Sequence, residues 1–301
     1  MAELRKKVPE SVDGEFFVDT TCINCDTCRQ LAPDTFDDQG TYSYVARQPQ
    51  AAGTERAALH ALLACPTGSI GTRGASRAKD AAGDFPLPIG SPSSIGSGAS
   101  SAADVTYCGF TSPSSFGASS YFLRRDDGNW LIDSPRFTSR LVSAFEAQGG
   151  IARIFLSHRD DVADAARYAE HFGAQRVIHA SELDAQPGAE QVIEGDETVE
   201  LAPGVVCIPT PGHTRGHCVL SVDERLLFSG DHLWWSRPRE RLFASRAVCW
   251  YSWPEQTRSM ERLLDVPFEW LLPGHGERRH LTQADRTREL TRLIADMRRS
   301  A

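Results

Sequence analysis

The stretch Ile208-Pro-Thr-Pro-Gly-His-Thr-Arg-Gly-His217 decides how the larger part of this chain is read. Pro211 and Gly212 force a turn directly before His213, and Gly216 permits another soon after, so the segment is neither regular helix nor regular strand. A loop specified this tightly positions one side chain, here an imidazole. Three other residues stand in comparable settings: His158 after Ile154-Phe-Leu-Ser, Asp231 in Phe228-Ser-Gly-Asp, and His275 in Leu272-Pro-Gly-His-Gly. Each follows a short apolar run and is expected at the C-terminal end of a strand, where sites on layered α/β sheets gather. A lone histidine there is ordinarily a hydrogen-bonded structural residue, but four such residues on four loops read as a metal site.

Working outward, 301 residues suffice for one large domain and a small one, and 41% hydrophobic with 24% charged residues is ordinary for a soluble globular chain. A net charge of −8 argues against a nucleic-acid or anionic-membrane partner. No apolar run approaches the roughly 20 residues of a membrane span. The basic start, Met1-Ala-Glu-Leu-Arg-Lys-Lys7, has no hydrophobic signal core behind it, so the cytoplasm is the expected compartment. Among eight cysteines, Cys22, Cys25 and Cys28 are packed together and Cys65 precedes Pro66, while Cys108, Cys207, Cys218 and Cys249 are scattered. The clustered ones are expected to be metal ligands rather than disulfides, the scattered ones small buried apolar residues.

Cys22-Ile-Asn-Cys25-Asp-Thr-Cys28 lets three thiolates converge from one loop, with Cys65-Pro66 supplying a distant fourth. Zinc is the competitor, although its sites more often show two separate Cys pairs. Residues 22–70 resemble a single-cluster bacterial-type ferredoxin. The likeness rests on the triplet, Ala32-Pro33 with Phe36 behind it, Ser43-Tyr-Val45, and Cys65-Pro-Thr-Gly-Ser-Ile70. The resemblance implies one [4Fe–4S] cluster, with a short helix over 55–63 covering it. Electron transfer is the expected role and a structural cluster the alternative.

Residues 72–105 are rich in Gly, Ser, Ala and Pro and read as a linker or mobile loop, with Phe85-Pro-Leu-Pro-Ile89 as an extended strap. The expected organisation is a ferredoxin-like domain at 1–80, a linker at 81–104 and a larger domain at 105–301. In the larger domain, strands are expected near 119–124, 129–133, 152–156, 176–179, 191–193, 197–201, 205–209, 218–222, 226–229 and 269–272. Helices are expected over 137–148, 161–172, 255–264 and 282–299. Two groups of strands with interspersed helices suggest an αββα sandwich, so the whole chain reads as α+β with two domains.

That order of signals resembles the metallo-β-lactamase fold superfamily across roughly residues 105–280. Pro211-Gly-His213-Thr, Gly230-Asp231 and Pro273-Gly-His275 match its later metal motifs. The first motif departs. Where the family has His-x-His-x-Asp-His, this chain has His158-Arg-Asp160-Asp161-Val162-Ala163, keeping the first histidine, replacing the second with Asp160 and lacking the closing pair. Asp164 would be a displaced remnant of that pair only with a two-residue insertion. The resemblance implies one metal rather than two, held by His158, His213 and Asp231. Asp160 is a candidate fourth ligand, and His275 belongs to the depleted second position. Two imidazoles and a carboxylate with open positions suit non-haem iron, and the family's persulfide dioxygenases are understood to hold one iron this way. Zinc also accepts the set. Fusion to an iron–sulfur module favours iron, because a hydrolase needs no electron supply. Asp160 and Asp161 are the candidate catalytic groups, orienting a water or an imidazole.

His217, His232 and His280 adjoin motifs without a matching role. Trp234-Trp235, Trp250-Tyr251 and Trp253 read as core or interface, with a pocket wall as the alternative. Arg237, Arg239 and Arg241 could bind an acidic group or could be solvated. Three functions stay open: a redox metalloenzyme acting on a small molecule with an electron-carrying protein partner, a zinc hydrolase, and a non-catalytic electron carrier.

Overall fold

The computed structural model describes residues 2–74, 77–90 and 104–300, so the least complex part of the expected linker lies outside the described residues. The chain forms two compact units, Met1–Arg124 with Pro135–Gly150, and Arg125–Ser134 with Ile151–Ala301. This division differs from the one expected at 81–104. Strand β5 (Leu87–Pro88) pairs antiparallel with β6 (Val105–Tyr107), and β6 with β7 (Tyr121–Leu123), which ties residues 105–123 into the first unit.

In the first unit, β1 (Phe16–Val18) pairs antiparallel with β4 (Ile70–Thr72), and β2 (Phe36–Asp38) with β3 (Ser43–Val45). Helix α1 (Thr27–Leu31) grows out of the cysteine loop, and α2 (Ala52–Ala64) contains the expected helix. It buries Ala58, Leu59 and Ala61 against Val8, Phe16, Val18 and Phe36. A short helix, α3 (Ala78–Ala82), stands where linker was expected. It is held because Asp84 accepts from Arg56 Nε at 2.5 Å and lies 2.6 Å from His60 Nε2, both on α2. Helix α4 (Ser139–Glu146) starts where Thr138 Oγ1 accepts from Leu141 N, and it buries Leu141, Val142 and Phe145.

The second unit contains two sheets. Strands β8 (Trp130–Ile132), β9 (Arg153–Phe155), β10 (Gln175–His179) and β11 (Gln191–Ile193) pair parallel in that order. Strands β12 (Val199–Ala202), β13 (Val205–Pro209), β14 (Cys218–Val222) and β15 (Leu226–Gly230) form an antiparallel run. Beyond β15 come parallel β18 (Trp270–Pro273) and antiparallel β19 (Arg279–His280). Strands β14, β15 and β18 are buried along their whole length, as central strands are when both faces are covered. Helix α5 (Ala165–Phe172) packs on β9 and β10. Helices α6 (Trp253–Arg262) and α7 (Gln283–Arg299) place Met260, Leu290, Leu293, Ile294 and Met297 against Val219, Leu227 and Leu271 of the other sheet. The expected α+β sandwich, helices outside two sheets, is the architecture of this unit.

Two local readings are corrected. The helix expected from Asp161 starts only at Ala165, because the chain first makes a 3₁₀ turn at Arg159–Asp161 and Ala163 takes a left-handed φ of 31°. A hairpin of β16 (Trp234–Ser236) and β17 (Arg241–Phe243) was not read from the sequence. It accounts for the arginines: Arg237 pairs with Glu277 at 2.5 Å, Arg241 with Asp296 at 2.9 Å, and Arg239 lies over the Phe243 ring.

Candidate metal centres

The cysteine loop bends because Asn24 and Asp26 occupy the left-handed region, with φ of 58° and 69°. These are the non-glycine residues that reach it at lowest cost. Arg29, nearly buried, clamps the bend. Its Nε donates to Asp26 Oδ1 and its Nη1 to Asn24 Oδ1, both at 2.6 Å, and Nη1 reaches Ser43 Oγ at 3.0 Å. Cys22, Cys25, Cys28 and Cys65 line one cavity with Val18, Ile23 and Ile70. Backbone N–H groups of Ser43 and Ser69 point at the sulfurs of Cys22 and Cys65, at 3.4 and 3.3 Å. Burial pushes the Cys25 thiol up to about 11 and the Cys28 thiol higher still. Four inward thiols of which two resist ionisation, with amides aimed at sulfur, suit a cationic iron–sulfur group that holds them as thiolates.

In the second unit, strand direction assembles the other centre. Strands β13 and β15 both run antiparallel to β14, and β18 runs parallel to β15, so all three end at one edge. His213, Asp231 and His275 follow those three ends. His158, after β9, joins them through Ser157, whose carbonyl accepts from Cys218 N at 2.8 Å. Gly230 (φ 47°) makes the convergence possible: a Cβ there would lie 2.7 Å from Ser157 Oγ and 2.8 Å from His217 Nε2. Gly212 (φ 153°) likewise leaves no room, since its Cβ would lie 2.3 Å from the Gln256 Cα.

His158, His213 and Asp231 form a group with one ligand atom each within 4.8 Å of one another. Asp231 Oδ2 lies 3.9 Å from His158 Nε2, 3.6 Å from His213 Nε2 and 3.7 Å from His275 Nε2. Asp160 Oδ2 lies 3.7 Å from both His158 Nε2 and His213 Nε2, on a side chain 47% exposed. These separations are close to those between ligands sharing one ion at about 2.1 Å. The buried Nε2 atoms of His158 and His213 and Oδ1 of Asp231 have no hydrogen-bond partner among the described residues. A buried polar atom left so is costly, and an ion satisfies all of them. Burial lowers the His158 imidazole to about 4, keeping it neutral as a ligand must be. Burial alone would raise the Asp231 carboxyl, but His275, His158 and His213 hold it below its ordinary value. The residues fit a metal.

Asp161 is buried, and its Oδ2 has no partner among the described residues. A Cβ on Gly274 would lie 2.9 Å from this atom and 2.8 Å from Asp231 Oδ1, so the two carboxylates flank the same glycine. Burial, with Asp231, Asp133 and Asp160 nearby, pushes the Asp161 carboxyl well up. Asp164 instead precedes α5 and pairs with Arg167 at 3.7 Å. Asp133, not singled out from the sequence, supports the site. Its Oδ1 accepts from Ser157 N at 2.8 Å and its Oδ2 from Ser157 Oγ at 3.0 Å. The signal available was an aspartate closing the apolar run Trp130-Leu-Ile132. His217 is a buried brace: Nε2 accepts from Asp231 N at 3.2 Å, and Nδ1 donates to Thr210 Oγ1 at 2.9 Å. The aromatic residues divide. Trp235 and Trp253 enter the core, while Trp250 is 65% exposed and its backbone N–H, like that of Tyr251, donates to the His213 carbonyl.

Comparison with known proteins agrees with both halves. Residues 18–72 match the family described as the 4Fe-4S single cluster domain of Ferredoxin I. Over 151 residues the chain is 33% identical to a hydroxyacylglutathione hydrolase of Fuscovulum blasticum, covering 48% of this chain and 56% of that protein. Over 69 residues it is 33% identical to the beta-lactamase-like protein 2 homolog of Drosophila melanogaster, covering 23% of this chain and 20% of that one. The crystal structure of the DIM-1 metallo-beta-lactamase is 13% identical, with a TM-score of 0.49 over 66% of this chain and 94% of that one. The chain thus spans about half the length of the first relative and a fifth of the second. With its two-sheet unit and the Pro-Gly-His, Gly-Asp and Pro-Gly-His motifs meeting at one edge, the second unit is similar to proteins of the metallo-β-lactamase fold superfamily, and residues 18–72 match a single-cluster 4Fe–4S ferredoxin domain.

Proposed function

We propose that the chain is a redox metalloenzyme acting on a small molecule at one metal ion, iron, held by His158, His213 and Asp231, with electrons relayed by the [4Fe–4S] cluster. The observation that carries this reading is the pairing, within one chain, of a two-histidine, one-carboxylate site with a ferredoxin domain. When bound, such an iron supplies a redox-active Lewis acid with open positions, and the cluster supplies single electrons. The chain's own residues do the rest. Ser157 and Asp133 fix the tautomer of His158, His217 fixes the backbone of Asp231, and Asp160 offers a half-exposed carboxylate to the metal or to a water beside it. Asp161 keeps a buried carboxyl near Asp231. An electron-donor or acceptor protein belongs to this reading, as does the cytoplasm, where free thiols persist.

The test is the metal and acid-labile sulfide content of anaerobically purified protein, with electron paramagnetic resonance before and after reduction. The reading expects about one iron beyond the cluster's four, lost in His213→Ala, and turnover that requires reduced cluster. A second reading, a zinc hydrolase with a structural or sensing cluster, is favoured by the 33% identity to a hydroxyacylglutathione hydrolase. One zinc in place of the extra iron, with turnover indifferent to cluster reduction, selects it.

A further inference from the structure

We propose that the loop from Thr111 to Ala118, beyond the ferredoxin match that ends at residue 72, is a lid that closes the cluster on its Cys25 side, with Gly117 as the residue against the ligand. The inference rests on the assignment of the four cysteines to a cluster. The loop is fastened at both ends to residues next to ligands. At its start, Thr111 N and Oγ1 donate to the carbonyl of Ala64, the neighbour of Cys65, at 3.3 and 2.7 Å. At its end, the Gly117 carbonyl accepts from Thr27 Oγ1 at 3.2 Å in a buried hydrogen bond, and Thr27 lies between Cys25 and Cys28.

Between these anchors the loop is shaped to come close. Ser112 Oγ accepts from Ser114 N at 3.3 Å, and its carbonyl accepts from Gly117 N at 2.9 Å, closing a tight turn. Gly117 then takes φ 84°, and a Cβ there would lie 2.8 Å from Cys25 Cβ, 2.9 Å from Cys25 Sγ and 3.2 Å from Pro66 Cγ. Any side chain at 117 would therefore displace the loop from the sulfur. Thr111, Ser112, Ser115 and Ala118 are buried although three of them are polar, whereas Phe116 is 55% exposed. A polar loop buried against Cys25 and Pro66 keeps water from that side of the cluster. Solvent access is among the factors that set a cluster's potential, since water stabilises the more highly charged reduced form.

The test uses the full chain. Wild-type protein is first assayed for iron and acid-labile sulfide; absence of a cluster there would remove the assignment beneath the proposal, separately from the lid itself. Gly117→Val and the milder Thr111→Val are then compared with wild type for cluster content, for bleaching of the cluster absorbance in air, and for the reduction potential followed by electron paramagnetic resonance. The lid predicts bleaching about 5-fold faster in Gly117→Val and about 2-fold faster in Thr111→Val, with the potential moved upward in both. Full cluster content with wild-type bleaching and potential in Gly117→Val would overturn it. If that variant assembles no cluster, Thr111→Val decides: faster bleaching with a raised potential supports the lid, and wild-type values overturn it.

Discussion

Asp133 reaches His158 through a single hydroxyl. Ser157 Oγ donates to Asp133 Oδ2 at 3.0 Å and lies 3.0 Å from His158 Nδ1. With its own proton committed to the carboxylate, the hydroxyl accepts from Nδ1–H, which leaves the Nε2 lone pair facing Asp231 and Asp160. Partners of this kind orient a ligating imidazole and raise its basicity. Asp133→Asn and Ser157→Ala are each expected to weaken metal binding about 10- to 100-fold without touching a ligand. Competition against a chelator of known affinity measures this; unchanged affinity in both variants would remove Asp133 from the site.

The two centres are expected to be separable. His158→Ala removes one of the two clustered imidazoles and should abolish binding of the extra metal while leaving iron and sulfide in the ferredoxin domain. Cys28→Ser should do the reverse. Metal and sulfide analysis of both variants checks this, and loss of cluster iron in His158→Ala would count against independent sites.

Gly230→Ala should destabilise the second unit by about 2–4 kcal/mol. The position combines a left-handed φ with contacts of 2.7 and 2.8 Å to Ser157 and His217, neither of which can move without disturbing the site. Chemical denaturation followed by tryptophan fluorescence reads the loss. A shift below half a kilocalorie would mean that the edge relaxes more freely than its packing implies.

Glu190 supplies a pH-dependent contribution. Arg176 donates to its carboxylate from Nε at 3.1 Å, from the backbone N at 2.7 Å and from Nη2 at 2.8 Å. These bonds hold the carboxyl at about 2 against an ordinary 4.5. A lowered folded-state pKa means that the stabilisation is complete above about 4.5 and fades as pH falls through about 2. Because the pair is partly exposed, its size is discounted to about 1 kcal/mol. Glu190→Gln should therefore lower Tm relative to wild type at pH 7, with the difference shrinking from pH 4.5 downward. A difference independent of pH would contradict the assignment.

Much of this was legible from local spacing. The Cys22–Cys28 triplet and the glycines beside His213 and Asp231 act within a few residues, and their reading needs only backbone sterics. The strand ends carrying His158, His213, Asp231 and His275 were legible for the same reason. The helix expected from Asp161 was placed too early, because its acidic neighbourhood suits the first turn of a helix, whereas the chain makes a 3₁₀ turn at Arg159–Asp161 and buries Asp161 before the helix starts at Ala165.

By itself, the sequence determined the two kinds of metal-ligating group, their loops and the class of fold around them, since these follow from spacing along the chain. The tertiary structure decided which groups meet. Asp133 serves His158 from 25 positions upstream, Asp160 faces both imidazoles, and Gly117 lies against Cys25 across 92 positions. Those meetings depend on strand direction and on where a missing Cβ lets two backbones approach, and neither is written in the spacing of any single segment.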